Sequence, residues 1–198
     1  IERLERNKVF CAKINCKRTA YKTNEPDCKK SKREWNDMKY LSYDAHVALN
    51  MDCTSEEELQ WLEEKESKNA KAYRNVFEML ANRLPKLVFD RFSGWGFHDY
   101  ELAKVEFQHT SLLHTDIIFT LTGSDEWILK FKDISFFQFR HHNYQNEKPV
   151  FSREHDNWLF EEFLPIDDAM LSFEVAFSSG GSMLIHFPDS AVSIEEVK

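Results

Sequence analysis

The chain has 198 residues, 42% of them hydrophobic and 30% charged, with only 5 Gly and 5 Pro; that composition supports a packed core and excludes disordered, collagenous and low-complexity classes for most of its length. No apolar run approaches the roughly 18 residues of a membrane-spanning helix. The net charge of -8 is uneven: residues 1–37 hold 11 Lys and Arg against 6 Asp and Glu, while residues 38–198 hold 15 against 28, a net -13. Such a body repels phosphate backbones and anionic membranes, so nucleic acid is a plausible partner only for residues 1–37.

Residues 1–37 show neither helical nor alternating periodicity, contain no Gly, one Pro and few apolar side chains, and are expected to form a basic, unpacked arm. Three of the four cysteines, Cys11, Cys16 and Cys28, lie there, and Cys53 is alone in the body. That scatter reads as reduced thiols in a cytoplasmic protein rather than a disulfide framework. A zinc site from the four is disfavoured because no tight C-x-x-C pair occurs.

A change of character follows at Met38. Residues 38–50 read as a strand-like or short helical lead-in. Thr54 and Ser55 precede Glu57 and Glu58 at capping-box spacing, and Glu56, Glu57 and Glu58 suit the positive end of a helix dipole. Leu59, Leu62, Tyr73, Val76, Phe77 and Leu80 recur at three- and four-residue steps as an apolar stripe. Glu66 and Asn69 interrupt it, so the middle of the helix is expected to lean into solvent. Pro85 ends or kinks the helix, and Lys86 to Phe92 reads as a further turn or short helix.

Beyond Gly94 the period becomes two. Val105 and Phe107; Ile117, Phe119 and Leu121; Trp127, Leu129 and Phe131; Ile134 and Phe136; Trp158 and Phe160; Leu171, Phe173, Val175 and Phe177; and Met183, Ile185 and Phe187 alternate in short runs divided by turns. Fourteen of the 17 Phe lie from Phe92 onward, supplying the bulky inner face of an antiparallel sheet. The predicted fold class is α+β, a helical segment (38–93) packed on an antiparallel β segment (94–198) of sandwich or half-barrel form, the two making one domain.

Met38-Lys39-Tyr40 before a long acidic helix, Leu84-Pro85, Gly96-Phe97-His98-Asp99, and Trp158-Leu159-Phe160-Glu161-Glu162 leading into a hairpin with Asp167-Asp168 resemble an uncharacterised bacterial family, the domain of unknown function 4085, over roughly residues 38–198. The resemblance implies no activity. It implies a start at Met38, and Lys32-Arg33-Glu34 is encodable by a purine-rich stretch like a ribosome-binding sequence. Residues 1–37 are then either a wrongly assigned upstream extension or a genuine flexible tail.

The residues that invite chemistry each have a plainer reading. His98 and Asp99, within the Gly94 to Asp99 stretch that also holds Trp95, pair a titrating imidazole with a carboxylate, as metal binding or acid–base work requires; a glycine turn explains them as well. His114 and Asp116 are two apart and share a strand face, as two metal ligands must, yet a solvated face is the commoner outcome. Glu161 and Glu162, beside Trp158, point to opposite faces of a strand, and Asp167-Asp168 sits where turns favour Asp. No P-loop, nucleophile elbow, dinucleotide fingerprint or EF-hand loop occurs, and no cofactor is implied.

The expected function is therefore a non-catalytic protein-binding module, immunity-like or regulatory, whose acidic body suits a partner with a basic patch. The alternatives are a metal-dependent hydrolase using His98, Asp99, His114 and Asp116, and nucleic-acid binding through residues 1–37, where Tyr21 and Trp35 interleave the basic side chains. Ordering a backbone costs about 1–2 kcal/mol per residue, which residues 1–37 have little apolar surface to offset. Their deletion should leave the midpoint of thermal unfolding nearly unchanged, with limited proteolysis trimming the chain to near Met38; unfolding of the truncated chain would show that the arm packs.

Overall fold

The computed structural model describes residues 38–50, 55–141 and 156–197. The predicted basic arm, the cysteines Cys11, Cys16, Cys28 and Cys53, the capping residue Thr54 and most of the loop after His141 lie outside the described residues. Among the described residues, helices α1 (Tyr43–Leu49), α2 (Glu56–Glu78) and α3 (Lys86–Phe92) precede strands β1 (Glu101–Ser111), β2 (His114–Thr122), β3 (Glu126–Phe131), β4 (Phe136–Arg140), β5 (Trp158–Pro165), β6 (Met170–Phe177), β7 (Ser182–Pro188) and β8 (Val192–Val197). The architecture is α+β, with the helices N-terminal to two antiparallel sheets ordered β1-β2-β3-β8 and β4-β7-β6-β5.

The helices begin where side-chain oxygens satisfy their first amides. Ser42 Oγ accepts from Ala45 N at 3.2 Å and Ser55 Oγ from Glu58 N at 3.3 Å, so the lead-in is a capped helix and the Ser55 signal marks a true start. The long helix stops at Glu78, seven residues before Pro85, which serves instead as the N-cap of α3. Between them Arg83 ties the turn to the sheets. Its guanidinium donates Nε to Asp189 Oδ2 (2.8 Å) and Nη2 to Asp189 Oδ1 (2.7 Å), Asp167 O (2.8 Å) and Met170 O (3.2 Å), a fork geometry that lysine cannot reproduce.

Most of the alternating runs pack as their period requires. In the first sheet Phe131 faces Ile117 on β2 and Val192 on β8, and Leu129 faces Phe119 and Ile194. In the second, Phe173 faces Phe163 on β5 and Ile185 on β7. The two inner faces meet ring to ring, Phe131 lying 5.1 Å from Phe173 and 4.9 Å from Phe187. Each such fully buried side chain contributes about 1.5–3 kcal/mol of hydrophobic stabilisation. Phe92 of α3 enters between the sheets, touching Phe97, Phe163 and Phe173, while Phe107 of β1 meets Phe137 of β4 across the opposite margin at 5.2 Å. Strand β5 is an edge, and α2 covers it: Phe163 N donates to Tyr73 Oη at 3.0 Å and Phe77 packs on Phe163. This covering protects an edge that would otherwise be open to pairing.

Four details depart from the patterns read from sequence. Ile134 lies before β4 and Phe136 is exposed, so the β4 ring that packs on the core is Phe137. A register shift between Trp158 and Phe160 buries both Trp158 and Leu159 and turns Phe160 to the outer face, so Trp158 and Phe160 do not share a face. A last strand, β8, is short and acidic enough to lack a visible pattern, yet it extends the first sheet through Val192 and Ile194. And α2 does not lean into solvent at Glu66: the stripe continues through that residue, which is half-buried, with one carboxylate oxygen wholly buried.

Candidate functional site

The turn from Ser93 to Asp99 docks against the start of β5 and brings together Trp95, His98, Asp99, Trp158 and Glu161. Glycine at position 96 makes the docking geometrically feasible. Its φ is 55°, and a Cβ there would lie 2.2 Å from Glu161 Oε1, so both the left-handed backbone and the close approach require it. Glu161 points to the inner side of β5 and is 4% exposed; its Oε2 accepts from Trp158 Nε1 at 2.7 Å. Asp99, also at positive φ, donates its N–H to Trp158 O at 2.9 Å and accepts from Asn157 Nδ2 at 3.2 Å.

Because residues 93–99 form a turn rather than a strand, neighbouring side chains converge. His98 Nδ1 lies 3.2 Å from Asp99 Oδ2, and the Trp95 indole stands edge-on to the His98 ring at 5.6 Å. A carboxylate on an imidazole is the orienting half of an acid–base device.

His114 and Asp116 do not join this pair. His114 Nδ1 lies 2.6 Å from Asp133 Oδ1. Asp116, 4% exposed, holds Lys130 Nζ at 2.8 Å and accepts from Asp133 N at 3.2 Å. Burial works to raise the Asp116 pKa, but Lys130, the Asp133 N–H and Lys132 outweigh it and keep the carboxyl below its usual range. These contacts tie the start of β2 to the end of β3. Among the described residues, no three His, Cys, Asp or Glu side chains are placed to hold a metal ion.

A third polar cluster was not visible in the sequence. Asp156 accepts from Ser178 Oγ (3.0 Å), Ser179 N (2.8 Å) and Ser179 Oγ (2.7 Å), with His141 Nε2 3.7 Å away. The carboxylate stands between hydroxyl and imidazole, whereas nucleophile activation needs the imidazole against the hydroxyl. Its work is to fasten the β6–β7 hairpin. Asp167 acts similarly in the preceding hairpin, accepting from Ala169 N and Met170 N, both at 2.8 Å.

Glu162 occupies the outer side of β5, fully buried, and its Oε1 accepts from Tyr40 N at 2.8 Å and Leu41 N at 2.6 Å. The two adjacent glutamates thus point to opposite faces and hold different segments.

The first half of α2 presents exposed charge around an aromatic centre. Glu56, Glu57, Glu58, Glu63 and Glu64 are exposed, and Trp61, 58% exposed, lies among them. Positions 57, 58, 64 and 65 are its neighbours three and four residues away on the helix surface. The Lys65 ammonium already sits over the Trp61 ring, 5.1 Å from its centroid.

Comparison with known proteins yields no match among family models, curated proteins or solved structures. The geometry makes its own demand at the turn. Gly96→Ala should lower unfolding stability by about 1–3 kcal/mol, the usual cost of a strained backbone position, measured by denaturant titration; an unchanged midpoint would mean that the Glu161 contact is not rigid.

Proposed function

We propose that the chain is a non-catalytic binding module that engages a protein partner through a basic patch, and that the docking surface is the acidic first half of α2 around Trp61. The observation that carries this reading is Trp61 itself: a large indole, 58% exposed, set among Glu57, Glu58 and Glu64 and already holding an ammonium group. Aromatic rings ringed by carboxylates suit Lys and Arg side chains, which gain cation–π attraction from the ring and charge pairing from the rim. The net -13 of residues 38–198 would add long-range steering toward a positive surface.

The polar clusters elsewhere support this choice over hydrolysis. His98, His114 and Asp116 each have partners of their own, divided between the turn before β1 and the β2–β3 region. The resemblance to the bacterial domain of unknown function 4085 and the scattered cysteines favour a bacterial, cytoplasmic setting, with an immunity-like or regulatory role.

Co-purification at low salt, comparing the full chain with its Trp61→Ala and Glu57→Lys/Glu64→Lys variants, tests the reading. A partner bound by the parent and weakened roughly tenfold or more by either variant is expected, as at an interface hot spot. Recovery of no partner, or equal recovery by the variants, would overturn it.

A further inference from the structure

The two sheets have four edge strands, β1, β8, β4 and β5, and an edge left open is a template for another strand. Helix α2 covers β5. Strand β4 carries Arg140 and no acidic residue, and β8 carries Glu195 and Glu196 and no basic one, so a second copy of either strand meets charge of its own sign. Strand β1 differs. At 11 residues it is the longest strand among the described residues, and among those residues its outer side carries a single bridge, from Glu101 to Asn157. Its exposed charges are of both signs. Lys104 and Glu106 stand opposite Thr120 and Ile118 of β2, two apart and so on one face. They are 61% and 43% exposed, with Lys104 Nζ 3.0 Å from Glu106 Oε1. Val105 and Phe107, paired with Phe119 and Ile117, lie on the other face.

We propose that β1 is a self-docking edge: two copies of the chain pair there, antiparallel, about a two-fold axis at Val105, and join their four-stranded sheets into one continuous sheet. In that register the positions on either side of Val105 change places. Lys104 lies opposite Glu106 of the second copy, and Glu106 lies opposite Lys104 of the second copy. One symmetric contact therefore makes two cross-strand ion pairs. The neighbouring registers lack this match. An axis at Lys104 sets that ammonium against itself, and an axis at Glu106 sets that carboxylate against itself. An axis at Phe107 places Glu106 opposite Gln108 and Lys104 opposite Thr110, with no opposite charge for either.

The paired stretch is residues 103–107. Phe107, 51% exposed, comes opposite Ala103, whose small side chain leaves room for the ring. The register shift between Leu102 and Lys104 bends the strand at that point, and Glu101 already faces Asn157, so the ladder stops there. Backbone N–H and C=O groups along the stretch supply the hydrogen bonds that any added strand receives, while the order of charges selects a second copy over a foreign segment. The self-docking edge does not rest on the partner reading of Trp61.

Sedimentation of the full chain tests it, at about 0.15 M salt, where repulsion between two chains of charge -8 is screened beyond roughly 8 Å. The parent should form a dimer whose share rises with concentration. Lys104→Glu and Glu106→Lys alter exposed side chains, and each turns both ion pairs into like-charge pairs. Each variant alone should therefore bind itself roughly tenfold or more weakly than the parent does. An equal mixture of the two variants should recover the dimer, because positions 104 and 106 then face opposite charge in both pairs, a rescue that general loss of structure cannot produce. A parent that stays monomeric at submillimolar concentration, a dimer unmoved by the single variants, or a mixture that does not pair would each overturn the proposal.

Discussion

Strand β5 has to bury a carboxyl group on each of its faces, and much of the molecule is arranged around that requirement. An ionised carboxylate taken out of water is costly unless donors replace the lost solvent. On the inner side the donor to Glu161 is the Trp158 indole, and the turn at Gly96 packs against the other oxygen. On the outer side the donors to Glu162 are the backbone amides of Tyr40 and Leu41, more than a hundred residues earlier in the chain. Two neighbouring residues of one edge strand thereby fix both the turn that leads into β1 and the segment that leads into α1.

The same edge explains the placement of the helices. α2 lays Tyr73 and Phe77 along β5, and α3 drives Phe92 between the sheets beside Phe163 and Phe173. Arg83 closes the link between the two helices by gripping Asp189 and two carbonyls at the far hairpins. Helix α2 then has two jobs on opposite sides: its buried stripe seals the sheet edge, and its acidic side presents Trp61 to solvent.

The alternating runs were legible because period-two patterning is a property of neighbouring residues, and so was the Ser55 cap. The 94–99 turn was legible from its glycines, one of which meets Glu161. What escaped depended on long-range partners. Glu66 reads as a solvent-facing break in a stripe, yet the folded chain half-buries it and one of its carboxylate oxygens. Asp156 belongs to a polar stretch until Ser178 and Ser179 return to it. The bulge at Trp158 shifts a face without leaving any pattern in the residue types, and β8 hides because Glu195 and Glu196 cut short the alternation that Val192 and Ile194 begin. His98 and Asp99 converge because the chain turns there; His114 and Asp116, placed on one face by spacing alone, are held by Asp133 and Lys130.

Glu162 fastens segment 38–41 to the sheet. Hydrogen–deuterium exchange at the Tyr40 and Leu41 amides tests it directly. Both should exchange as slowly as β5–β6 ladder amides in the parent, and Glu162→Ala should release these two while the ladder stays protected. Rapid exchange at Tyr40 and Leu41 in the parent, or protection unchanged by Glu162→Ala, would contradict the account.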